Sequence, residues 1–111
     1  MKDFVSLNQN KDFKRAYYRG RSMASNSVVT YALKNHSNEK RFGITTSKKI
    51  GNAVQRNRAR RVIKEAYRRT SGNLKSGFDV VFVARGRATK IKMDEVLKNL
   101  IYHFKKLGIW T

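Results

Sequence analysis

Hydrophobic positions recur with a helical period in three segments, and four shorter segments between them have strand character. The clearest helical stripe is Met93, Val96, Leu97, Leu100, Ile101, Phe104 and Leu107, which follows the i, i+3, i+4, i+7 rule of a helix with one buried face. Asp94 and Glu95 fall in its first turn, Lys105 and Lys106 in its last, and Gly108 follows, as the helix dipole and C-capping preferences require. Near the start, Phe13, Ala16 and Tyr17 give an aromatic face to a short helix over residues 10–19. Gly20 is predicted as its left-handed cap. A third helix runs from Asn52, with Gln55 at capping-box spacing, to about Thr70.

Residues 21–25 predict a short strand. Residues 27–34 alternate, with Val29, Tyr31 and Leu33 on one side and Val28, Thr30 and Ala32 on the other. A polar turn at 35–39 leads to a strand over 41–47, with Phe42, Ile44 and Thr46 on one face. The segment DVVFVA, inside a strand over 78–84, is apolar on both faces and predicts an interior position. A loop covers 85–90. The expected order is α-β-β-β-α-β-α, an α+β sandwich of helices on a sheet. At 111 residues, with no repeat, no proline and no low-complexity linker, one domain over 1–111 is expected.

Charge changes this picture most. Twenty-six Lys and Arg face seven Asp and Glu, a net +19. Self-repulsion of that size opposes compaction, and a bound polyanion relieves it. Nucleic acid is the first partner class implied, an anionic membrane surface the second. No apolar run approaches the ~20 residues that span a bilayer. The first ten residues carry no signal-peptide core. The absence of cysteine fits a reducing compartment, so a cytoplasmic protein is expected.

The cations concentrate on the central helix. Ala59, Val62, Ile63, Ala66 and Thr70 form its apolar side. Asn57, Arg61, Lys64 and Arg68 lie opposite, with Arg60 on one flank and Arg58, Glu65 and Arg69 on the other. Like charges at i, i+4 cost about 0.2–0.5 kcal/mol per pair, so this face is designed for an anion rather than for water. Arginine's planar fork suits phosphate and base edges. Lys48 and Lys49 precede the helix N-terminus, a natural anion site. Phe13, Tyr17, Val29 and Tyr31 supply rings and β-branched surface of the kind that stacks on single-stranded nucleic acid. The acids show no D-x-D, H-x-H or E-x-x-H arrangement, and His36 and His103 make a poor acid–base pair, one in a polar turn, the other on a charged helix face. The pattern describes a binder without chemistry of its own, with no catalytic residue and no metal ligand.

The string KKIGNAVQRNRARR, Lys48 to Arg61, closely resembles the signature of the bacterial ribonuclease P protein subunit family, whose hallmark is the Arg56-Asn57-Arg58 core. DFKRAYYRG, RFGITTS and GFDVVFVAR resemble its other blocks, in the same order. The resemblance implies an α-β-β-β-α-β-α sandwich with a left-handed βαβ crossover, shared with a ribosomal protein domain. It implies a protein that helps an RNA subunit remove the 5′ leader of precursor tRNA, with Mg²⁺ held mainly by RNA. Carried over, Arg56, Asn57, Arg58, Arg60, Arg61, Lys64 and Arg68 hold the RNA subunit. Lys48, Lys49 and Asn52 lie at the helix entrance. Phe13, Tyr17, Val29, Tyr31 and Thr45 line a leader cleft. Tyr17 and Val28 stand where phenylalanine is often expected in the family. The alternative reading is a ribosomal-type structural RNA binder, which lacks a leader cleft. A helix-turn-helix DNA binder and a protein-only nuclease fit less well: a strand precedes the arginine helix, and the acids do not converge.

Overall fold

The computed structural model describes residues 5–111. Five strands form one mixed sheet: β1 (Val5–Ser6), β2 (Arg21–Ala24), β3 (Val28–Lys34), β4 (Lys40–Thr45) and β5 (Phe78–Ala84), in spatial order β1-β4-β5-β3-β2. Three helices accompany it: α1 (Asn10–Arg19), α2 (Ala53–Thr70) and α3 (Met93–Lys106). The α-β-β-β-α-β-α order is present, preceded by β1, whose two residues are too few to show a period. β4 and β5 are parallel neighbours joined through α2. β3 runs antiparallel to both β5 and β2. β5 lies in the middle of the sheet, which explains its apolar residues on both faces. β4 ends at Thr45 rather than at residue 47, because the chain winds into a 3₁₀ turn over Lys48–Ile50.

The sheet separates two cores. On one face α2 and α3 cover Phe42, Val80 and Phe82, with Ile63, Ala66 and Leu100 buried against them. Tyr67, absent from the expected apolar side of α2, is fully buried. Its ring stacks on Phe42 at 4.6 Å and meets Phe82 edge-on at 5.6 Å. On the other face α1 covers a smaller cluster of Leu7, Ala16 and Val81, bordered by Phe13, Tyr17 and Tyr31. Gly43 allows that approach: a Cβ there would sit 2.6 Å from the Phe13 ring.

Two local expectations are corrected. Gly20 is not left-handed; its φ is −78° and ψ 159°. Glycine is needed there for space, since a Cβ would lie 2.5 Å from the Ala16 carbonyl oxygen and 3.0 Å from that of Ala32. His103 is not on a charged face. It lies three residues after Leu100 and four before Leu107, so it belongs to the buried stripe. Its Nδ1 shares a 2.7 Å hydrogen bond with the Thr30 hydroxyl, and burial holds its pKa below the usual histidine value. The capping box forms as expected: Gln55 N–H donates to Asn52 Oδ1 at 2.9 Å, and Asn52 N–H to Gln55 Oε1 at 2.8 Å.

Candidate RNA interface

Ala59, Ile63, Ala66 and Thr70 bury one side of α2, with Val62 partly buried, and so fix which side faces solvent. Asn57, Arg60, Arg61, Lys64 and Arg68 are all exposed. Arg61 and Lys64 have no side-chain partner among the described residues, so their donors point at solvent. Together with Val54 and Asn57, Arg60 and Arg61 line a shallow hollow. Val54 is 75% exposed, an apolar contact in a cationic surface that the sequence reading did not single out. Asn57 accepts from Arg60 Nη1 at 3.1 Å, which leaves its amide N–H groups to donate.

Several cations of this helix also make internal contacts. Arg56 donates to the Gly51 carbonyl at 3.0 Å. Arg58 is half-buried and clamps the loop before α3, donating to the carbonyls of Ala88 at 3.2 Å and Ile91 at 2.8 Å. Arg68 and Arg69 share Glu65, each with an Nε–oxygen distance of 3.0 Å. Hydrogen bonds from Arg68, then Arg69, pull the Glu65 pKa down to about 2 from the ordinary 4.5, and Glu65 in turn raises that of Arg68. Lys48 and Lys49 are exposed on the 3₁₀ turn at the helix entrance. Asn52, beside them, has its oxygen committed to the capping box, so the anion site there rests on the lysines and the helix dipole.

The groove expected beside α2 is built by sheet register. On the α1 face, Gly43, Val81 and Tyr31 lie in one row, and Thr45, Val83, Val29 and Ala24 in the next. α1 packs over the first row. In the second, Thr45, Val83 and Val29 are only partly buried and Ala24 is exposed. Tyr17 stands at the boundary, its hydroxyl 2.7 Å from Thr45 Oγ1 and its ring edge-on to Tyr31 at 5.1 Å. Phe13, Tyr17, Thr45 and Arg60 line a common groove of about 530 Å³, with Lys14 at its rim. Val29 joins the same open surface through its row rather than the groove wall. Arg60 reaches from α2 to Thr46, Nη2 to Oγ1 at 2.6 Å, and so connects the cationic helix to the groove. Val83, Lys14 and this use of Arg60 were not anticipated; only the register and helix placement reveal them. Val28 is fully buried on the opposite face, so its lack of a ring does not touch the groove.

Acids near these surfaces are held by cations. Asp12 and Asp79 flank Arg41 at 3.2 and 3.3 Å, under α1. Glu65 serves Arg68 and Arg69, and Glu95 pairs with Arg87 at 3.2 Å. Asp3 lies outside the described residues. Among the described residues no three His, Cys, Asp or Glu side chains converge as a metal site requires, so no residue here is assigned to Mg²⁺. Among the same residues no helix is long and apolar enough to cross a membrane.

The chain is thus a strongly basic α+β domain with an exposed cationic helix face beside an open aromatic groove. The family model for ribonuclease P matches residues 1–108. The chain belongs to that family, as a ribonuclease P protein component. It is 46% identical over 99 residues to the ribonuclease P protein component of Clostridioides difficile, covering 86% of this chain and 87% of that one. The structure of the Staphylococcus aureus RNase P protein superposes with a TM-score of 0.84 at 30% identity, covering 96% of this chain and 98% of that one. That from Thermotoga maritima gives 0.77 at 28% identity, covering 87% and 92%.

Proposed function

We propose that this chain is the accessory subunit of a ribonucleoprotein endonuclease that matures the 5′ end of tRNA. The exposed face of α2, chiefly Asn57, Arg60, Arg61, Lys64 and Arg68, binds the catalytic RNA. The groove of Phe13, Tyr17 and Thr45, with Tyr31 packed beside Tyr17 and Val29 and Val83 continuing the surface, takes the single-stranded leader of precursor tRNA. Hydrolysis belongs to the RNA with its Mg²⁺; this chain binds and orients. The observation that supports the reading is the Arg60 bridge, which joins the cationic helix face and the aromatic groove into one continuous surface. Arg56 and Arg58 act by holding the helix entrance and the neighbouring loop.

Physically, such a subunit helps because two polyanions repel, and a cationic wedge between them lowers that repulsion. A leader held in the groove favours substrate over product, since mature tRNA has none. The test is reconstitution with the family's RNA subunit and Mg²⁺ on substrates with and without a leader. Tighter binding of the leader-bearing substrate, reduced by Tyr17→Ala, is expected. If about six phosphates are neutralised, log affinity falls against log salt with a slope near −4 to −5. Correct 5′ cleavage by the isolated protein, or equal affinity for precursor and mature tRNA, overturns the proposal. The second outcome favours a ribosomal-type RNA binder.

A further inference from the structure

A second groove lies away from both surfaces. It is formed at the start of β5, on the far end of the sheet from the row holding Val83. Five residue-to-residue steps along the strand separate Phe78 from Val83, about 17 Å at the usual rise. Its floor is apolar: Ala32, Phe78 and Leu107. Its volume, about 620 Å³, exceeds that of the leader groove. Arg19, Lys34 and Lys75 stand on its walls, and no acidic side chain lines it.

These three cations are available to a ligand, as are the other unpartnered basic residues among those described. All are exposed, and none has a side-chain partner among the described residues. The fourth, Arg21, is engaged: its Nη1 donates to the Leu107 carbonyl at 3.2 Å, closing the end of α3. Lys75 is held in place through its backbone, whose N–H donates to the Ile109 carbonyl at 2.9 Å. A bridge between Leu74 and Trp110 fixes the same segment. The groove is therefore a firm apolar trough edged by uncompensated positive charge.

We infer that this groove binds a second segment of single-stranded RNA, separate from the segments on α2 and in the leader groove. The charge selects a polyanion. The apolar floor with one aromatic ring selects a strand whose bases can turn inward while its phosphates meet Arg19, Lys34 and Lys75. A duplex keeps its bases stacked inside and offers no such surface. An acidic peptide satisfies the walls but leaves the aromatic floor without a matching face.

The experiment uses the full chain in an Arg61→Glu, Lys64→Glu background, which disables the α2 face. A short labelled oligouridylate is titrated by fluorescence anisotropy. Adding Lys34→Glu and Lys75→Glu is expected to weaken the remaining binding about tenfold and to lower the salt slope by about 1–2. The chain has no cysteine, so Ser76→Cys gives a single thiol for a benzophenone label, with Lys98→Cys on the outer face of α3 as control. Crosslinking to the oligonucleotide from position 76, above that from 98, is expected. Because Ser76 is exposed, this arm holds even if the charge-reversed protein folds poorly. Unchanged affinity with no preferential crosslink overturns the inference. Stronger competition by a polyglutamate peptide than by unlabelled oligouridylate overturns RNA as the occupant. Neither result touches the proposed function, which falls instead if Arg61→Glu with Lys64→Glu leaves affinity for the catalytic RNA unchanged.

Discussion

Arg58 and Arg61 sit three residues apart in the same arginine-rich string, yet the structure gives them opposite tasks. Replacing each with alanine separates stability from binding. Arg58 donates two charge-assisted hydrogen bonds to the carbonyls of Ala88 and Ile91, at 3.2 and 2.8 Å. Ala88 is 0% exposed and Ile91 7%, so water replaces the lost donors poorly. Hydrogen bonds to a charged group contribute about 1.5–3 kcal/mol each. With partial rehydration at the half-exposed mouth of the site, Arg58→Ala should cost about 2–3 kcal/mol in all. For a domain of this size that lowers Tm by about 8–12 °C. Arg61 has no internal partner, and Arg61→Ala should stay within about 0.5 kcal/mol of the parent.

Binding should show the reverse. Below the melting range, Arg61→Ala should weaken affinity for the catalytic RNA and reduce the salt slope by about 0.7–0.9, the share of one phosphate contact. Arg58→Ala should leave the slope nearly unchanged, because its guanidinium faces the 85–91 loop. The assays are thermal unfolding by circular dichroism and filter binding across a salt series. An Arg58→Ala protein that melts like the parent while losing a full phosphate's worth of slope refutes the clamp. So does an Arg61→Ala protein that melts as early as Arg58→Ala.

Gly43→Ala should destabilise by about 1–3 kcal/mol through overpacking against the Phe13 ring; calorimetry checks this, and an unchanged Tm means α1 shifts freely on the sheet. Glu65→Gln tests the one acid on the cationic helix. Its folded pKa, about 2, lies below the ordinary 4.5, so its stabilising contribution is present above pH 4.5 and is lost as pH falls through about 2. The stability difference between parent and Glu65→Gln, followed by urea unfolding, should therefore be constant above pH 5 and vanish near pH 2. Near neutral pH the same variant frees Arg68 and Arg69 and should bind RNA more tightly, with a steeper salt dependence; weaker binding contradicts the placement.

Much of the fold was readable because its signals are local. The Asn52–Gln55 capping box needs four residues of sequence and forms as written. The apolar side of α2 and the stripe of α3 follow from a 3.6-residue period. The double-sided apolar run in β5 announces its central position. What escaped is non-local or chemically ambiguous. His103 reads as polar, yet its spacing from Leu100 and Leu107 places it in the core, where Thr30 gives it one partner. The glycine at 20 was read for its backbone freedom, whereas the crowding comes from a carbonyl on β3 and another one turn back in α1. The open row of Thr45, Val83 and Val29 exists only once three strands are in register. Arg56 and Arg58 are expected from the resemblance to hold RNA, and nothing in the sequence signals the carbonyls of Gly51, Ala88 and Ile91 that they also reach.

That distinction points to how a chain of +19 folds at all. Seven acids cannot pair twenty-six cations, so part of the compensation comes from backbone carbonyls at the ends of elements. Arg21 caps the carbonyl of Leu107 after α3, and Lys40 that of Ser71 after α2. Arg56 takes Gly51 before α2, Arg58 takes the loop before α3, and Arg85 takes Ser25 at the β2–β3 turn. Carbonyls at helix C-termini carry partial negative charge, so such contacts neutralise cations without using an acid. Arg61 and Lys64 on α2, Lys48 and Lys49 at its entrance, and Arg19, Lys34 and Lys75 around the second groove have no such contact. The basic residues thus divide by partner rather than by count. Substituting a carbonyl-bound cation should register in unfolding, and substituting an unpaired one in the salt dependence of RNA binding.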